Sequence, residues 1–156
     1  VAGDLYDCIP LAGDRYLLCV GDGSGKGMPE ALLMSTCLSL LRAYAEVLDS
    51  PSAIMRRLNH RLCHNNPTCA FTTLVRAVLD SRNGELSYCN AGHNPSLLKR
   101  RDGPVESLGQ VHGPALGVEV QSGPPSFRPC AHAGLFPKQS AHLQQKAGPT
   151  VPESPA

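Results

Sequence analysis

GDGSGKGMPEALLM, residues Gly21 to Met34, decides how this chain is read. Four glycines in the first seven positions exclude a regular element there. Pro29 then sits near a helix start, and Leu33, Cys37, Leu40, Leu41, Tyr44 and Leu48 recur three and four apart, which marks one buried helical face. Before this stretch, Leu5 to Leu11, a turn at Ala12, Gly13 and Asp14, and the run Arg15 to Val20 predict a β-hairpin. After it, Ser50 and Pro51 open a second helix carrying Ile54, Leu58 and Leu62 four apart, predicted to end near His64 to Pro67.

Farther on, Ala70 to Leu79 is apolar and β-branched, Asn83 and Gly84 signal a hairpin turn, and Glu85 to Asn90 alternates. Ser96 to Arg100 and Val105 to Leu108 flank a turn at Asp102 and Gly103, a further hairpin. The expected fold is α+β, an antiparallel sheet with two helices inserted.

The 156 residues give one domain's worth of length, and a 42% hydrophobic content excludes disorder throughout. Gly and Pro are abundant, at 15 and 14 residues, so loops or an unstructured end must absorb them. The break falls near Gln121: residues 122–156 hold 7 of the 14 Pro, with Phe127, Leu135, Phe136, Leu143 and Val151 as their only large apolar side chains. That segment is expected to be a disordered tail, because so little burial does not offset ordering entropy. A net charge of +1 and a longest basic run of Lys99 to Arg101 exclude a wide positive field, so nucleic acid is not an expected partner. That run reads as a solvated hairpin end, or as an attraction for a phosphoprotein.

Ala31 to Leu48 is interrupted by Arg42 and Glu46 and reads as a helix in water, not a membrane span. Seven Cys without a CxxC pair suit reduced thiols in the cytoplasm. Val1, without a Met, abuts an acidic motif, and the expectation is a fragment of a longer chain.

Asp4 and Asp22 each stand where an apolar strand meets a glycine, so a hairpin brings two carboxylates together. With the Gly23 carbonyl they form the oxygen set that Mg²⁺ or Mn²⁺ prefers. The competing reading makes Asp4, Asp7 and Asp22 ordinary turn residues. Neither phosphate-loop pattern fits: Val20 and Gly27 stand at the wrong places for a P-loop, and Lys26 occupies the third slot of GxGxxG. His60, Cys63, His64 and Cys69 lack the paired spacings of structural zinc. His93, after a strand in NAGHNP, is expected either at a loop rim near substrate or in loop packing.

Taken in order, the motifs resemble the SpoIIE/RsbU branch of the PPM (PP2C-like) metal-dependent protein phosphatases. VAGDLYD (Val1 to Asp7) is similar to GGDxYD, and GDGSGKGMPEALLM to GDVSGKGxPAALLM. Asn59 falls at LN, Phe71 to Thr73 resemble FxT, Asn90 to Pro95 match NAGHxP, and Leu116 to Val118 resemble LGV. The resemblance implies a PP2C-like αββα sandwich of antiparallel sheets and a binuclear Mn²⁺ or Mg²⁺ site. It implies hydrolysis of phosphoserine or phosphothreonine on a protein substrate, typically a STAS-type anti-sigma-factor antagonist. Asp4 and Asp22 would be the catalytic metal ligands with Gly23, while Ser24, Lys26, His93 and Asn94 would form the substrate rim.

The later TDG motif and acidic ligand of the family have no match, since no Asp follows Asp102. The expectation is therefore a partial phosphatase domain over residues 1–121, incomplete at its C-terminal end, with a tail at 122–156 unrelated to the family. Activity is expected to be weak or absent. A non-catalytic phosphoprotein-binding module is the competing function.

Overall fold

The computed structural model describes residues 3–135 except Lys26, Asp49, Asn65, Pro67, Asp102 and 119–126. The hairpin at the start is strand β1 (Asp4–Leu11) with β2 (Arg15–Gly23). Two helices follow, α1 (Met28–Val47) and α2 (Pro51–His64). The chain returns through β3 (Thr72–Asp80) and β4 (Glu85–Ala91), then a short hairpin of β5 (Ser96–Lys99) and β6 (Val105–Leu108), and last β7 (Ala131–Gly134). All pairings are antiparallel, in a five-stranded sheet ordered β1-β2-β3-β4-β7 and a two-stranded sheet of β5 and β6.

Period-two alternation decides what each face does. Leu5, Leu17, Cys19, Leu74, Cys89 and Ala91 face the helices and are buried against Met34, Cys37 and Leu41 of α1 and Ile54, Met55, Leu58 and Leu62 of α2. The opposite face buries Ala77, Leu86 and Tyr88 against Leu108 of β6 and Leu135. Toward β1 that face is open, with Tyr6 83% exposed and Leu18 and Val20 also exposed. Helices, large sheet and small sheet thus make three layers among the described residues. This is the expected α+β arrangement of antiparallel sheets.

The described part of the expected disordered tail, residues 127–135, is ordered. Residues 127–135 are built into the fold: β7 pairs with β4, Leu135 N–H donates to the Gly84 carbonyl at 2.7 Å, and Phe127 is buried in the main core. Composition averaged over 35 residues hid this, because Phe127 and Leu135 lie at the two ends of a nine-residue stretch. The Phe127 ring occupies the space a side chain at Gly113 would need; a Cβ there would come within 2.3 Å of it. Burying a Phe contributes about 1.5–3 kcal/mol, which adds to the pairing of β7 with β4 in holding the segment. Residues 136–156 lie outside the described residues, as does the boundary at 121 itself.

Candidate metal centre

The β1–β2 register places Asp4 directly opposite Asp22, so both side chains project from the same face at one end of the sheet. Directly opposed Cβ atoms in an antiparallel pair are about 4.5–5.5 Å apart, where like charges repel. Among the described residues no Lys, Arg or His forms an ion pair with either carboxylate. Asp7 points to the opposite face, where it is paired with Arg42 at 2.6 Å. Of the three acids read from the motifs, two share a site and the third is structural.

The backbone under Asp22 is gripped from β3. Its carbonyl accepts from the Thr72 hydroxyl at 3.1 Å and the Thr73 hydroxyl at 3.2 Å. Thr73 Oγ1 also lies 2.7 Å from His93 Nδ1. With the Thr73 proton committed to Asp22, the assignment that satisfies both contacts makes His93 Nδ1–H the donor. His93 is held in turn by Asn90, whose Oδ1 accepts from its N–H at 2.7 Å and whose Nδ2 donates to its carbonyl at 2.9 Å. His93 therefore supports Asp22 through Thr73, while Asn94 is exposed beyond it.

Ser24 closes the glycine loop onto β3: its N–H donates to the Phe71 carbonyl at 2.8 Å and its hydroxyl accepts from Phe71 N–H at 2.9 Å. Lys26 lies outside the described residues. The other motifs meet behind this loop. Asn59 Oδ1 accepts from Gly117 N–H at 2.8 Å, and Thr72 and Leu116 exchange two backbone hydrogen bonds.

Glu30, in the first turn of α1, is a residue the sequence reading missed. It is 3% exposed, and neither carboxylate oxygen has a hydrogen-bond partner. Its carboxylate fills the space beside Gly23: a Cβ built there would fall 2.6 Å from Glu30 Oε1. In the pattern GDVSGKGxPAALLM these two positions are Val and Ala, so volume removed at 23 is returned from 30. The signal was Glu at a position where a helix's apolar face begins.

Two opposed carboxylates without a cationic partner offer oxygen donors of the kind a hard divalent cation prefers, whereas Glu30 lies on the helix-facing side of the sheet beside Gly23. No group of three or more His, Cys, Asp or Glu among the described residues is gathered to hold a metal ion, so neither ion of a binuclear site has such a set there. His60, Cys63, His64 and Cys69 form none either, and the His60 and His64 rings stack 6.3 Å apart on α2.

An antiparallel sheet with helices on one face and paired acids at the open end of its first hairpin is the arrangement expected of a PP2C-like fold. The family model described as Stage II sporulation protein E (SpoIIE) matches residues 12–134. The chain belongs to this family of PPM-type serine phosphatases. It is 28% identical over 119 residues to phosphoserine phosphatase RsbU of Bacillus subtilis, covering 76% of this chain and 35% of RsbU. The solved RsbU and RsbW domains of Rv1364c from Mycobacterium tuberculosis superpose with a TM-score of 0.72 at 30% identity, over 87% of this chain and 37% of that one. RsbX, solved in complex with magnesium, shares the fold with a TM-score of 0.66 at 18% identity, over 86% of this chain and 61% of that one. The chain spans about a third or less of the length of the curated relatives it matches. Among the described residues, no helix is long and apolar enough to cross a membrane.

Proposed function

We propose that this chain carries metal-binding residues of a cytoplasmic protein phosphatase that hydrolyses phosphoserine or phosphothreonine on a partner-switching regulator, of the STAS-type anti-sigma-factor antagonist kind, using Mn²⁺ or Mg²⁺. The observation that carries the reading is the Asp4–Asp22 pair, opposed across one hairpin with no cation of the described residues to neutralise it. Asp4 and Asp22 would hold the ion, with the Gly23 carbonyl as a neutral ligand. A divalent ion bound there supplies positive charge for phosphate oxygens and makes water a better nucleophile near neutral pH. Thr72 and Thr73 fix the Asp22 backbone so that its carboxylate is presented without reorganisation. His93 keeps Thr73 in the donating orientation. Ser24 sets the loop that would carry Lys26 toward a substrate phosphate.

The test is Mn²⁺-dependent phosphate release from an aryl phosphate, with Mn²⁺ affinity measured separately by calorimetry. Asp22→Asn is expected to weaken Mn²⁺ binding and to lower any turnover by about 10²–10⁴-fold, the loss of several kcal/mol of transition-state charge stabilisation. Unchanged Mn²⁺ affinity in that variant would sink the reading. The second reading, a phosphoprotein-binding module without turnover, is favoured by the missing three-residue metal cluster among the described residues. It predicts Mn²⁺ and phosphoprotein binding with no phosphate release from wild type.

A further inference from the structure

A row of side chains on the helix-facing side of the large sheet reads Asp7, Cys19, Arg76 and Cys89 on β1 to β4. Extending the β4–β7 register by one residue puts Cys130 opposite Cys89. Arg76 is 2% exposed, and its Nε and Nη1 have no hydrogen-bond partner. The acid in the row, Asp7, is already committed to Arg42. Burial, then the Asp7 charge, pushes the Cys19 thiol up to about 11, which leaves it neutral. The Cys89 thiol is raised by its hydrogen bond to Cys130 and by burial. A guanidinium does not deprotonate in proteins, and a buried charge without a partner is strongly unfavourable.

Arg76 forms part of the wall of a cavity of about 370 Å³, with Arg15, Ser50, Ser52, Cys130 and His132 around it and no acid among the described wall residues. Ser50 and Ser52 belong to the start of α2, a helix of 14 residues whose dipole favours an anion there, while the Ala53 N–H is capped by Ser50 Oγ at 3.4 Å and the Ile54 N–H by the Ser50 carbonyl at 3.1 Å.

We propose that this cavity binds a small phosphate-type oxyanion, seated between the Arg76 guanidinium and the N-terminus of α2. The site lies on the other face of the sheet from Asp4 and Asp22 and near the opposite end of the first hairpin, so it is independent of the metal centre. Its internal competitor is Cys130, whose thiol is drawn down to about 7 by the hydrogen bond from Cys89, with Arg76 adding to the effect. An anion on Arg76 removes part of that influence and makes Cys130 less nucleophilic.

The experiment uses the whole chain in EDTA, titrated with inorganic phosphate at constant ionic strength. It reads the melting temperature and the peptide-resolved rate of Cys130 alkylation by iodoacetamide at neutral pH. The expected result is a saturable rise in melting temperature and a several-fold slower alkylation of Cys130. Arg76→Met should weaken phosphate binding by about tenfold or more, without lowering the phosphate-free melting temperature, since the orphan charge is gone. Ser52→Asp, at the mouth, should remove the response without touching the core, and serves if Arg76→Met does not fold. Asp22→Asn should keep the response whether or not the metal reading holds. Phosphoserine as a second probe separates two sources: a response to it assigns a phosphorylated organic ligand, and a response to inorganic phosphate alone assigns the free ion. The proposal is overturned by an absent or non-saturating response, or by one that survives in Arg76→Met or is lost in Asp22→Asn.

Discussion

The two ends of the large sheet handle charge in opposite ways. At the open end of the β1–β2 hairpin, Asp4 and Asp22 stand exposed on one face, where water moderates their repulsion. Toward β4 and β7, Arg76 of β3 and His112 are buried: two guanidinium N–H groups of Arg76 have no partner, whereas the ring of His112 faces the N–H groups of Asn90 and Ala131. A charge at an exposed strand end costs little and can wait for a ligand. Inside the sheet it must be answered by the fold or by something in the adjoining cavity.

The sharpest way to break this contrast is to release the β4–β7 side. Phe127→Ala should cost about 3–5 kcal/mol by denaturant unfolding, because the ring fills the space above Gly113 and ties residues 127–135 to the core. Mn²⁺ binding at the other end should survive under conditions where the variant is still folded. Coupled loss of both would show that the two ends are one cooperative unit.

A smaller effect tests the packing between Gly23 and Glu30. Gly23→Val alone should destabilise the chain, since its side chain meets the Glu30 carboxylate, and Glu30→Ala added to it should recover most of the loss. The coupling energy in a double-mutant cycle should be about 0.5–3 kcal/mol. Additive losses would mean that the two positions do not share space.

The mildest change comes from pH. Burial holds the His112 pKa below its ordinary value, and its two ring nitrogens face the N–H groups of Asn90 and Ala131, each at 3.1 Å. The unfolded chain therefore binds the proton more readily than the folded one. The contribution of His112 to stability is complete above the ordinary histidine range and is lost as pH falls through it. Melting curves should shift down on acidification through that range, with the shift much reduced in His112→Gln. An equal shift in both would assign it to other groups.

How much was legible follows the same division. The hairpin, both helices, β3, β4 and the short hairpin were readable because alternation and helical spacing report which face is buried. Asp4, Asp22 and His93 were readable because glycines and turns around them break those patterns. Glu30 and Arg76 were not, since each stands alone within an otherwise ordinary helix or strand, and only the register shows what lies across from it. The last strand was missed for a different reason: four residues, Ala131 to Gly134, carry almost no pattern, and their place is fixed by Phe127, Leu135 and two bonds that the Arg128 and Ala131 N–H groups donate to His112.

Strand β2 meets β3 only after two helices, whereas β1–β2 and β3–β4 are local hairpins. Near neighbours close in microseconds, while joining the two ribbons means shutting a loop of some fifty residues first. Threonines 72 and 73 reach the Asp22 carbonyl only across that late seam, so metal affinity should emerge after most of the helical signal during refolding, in a stopped-flow trace that follows both. Affinity that appears with the earliest hairpin signal would mean that the acids are shaped before the seam closes.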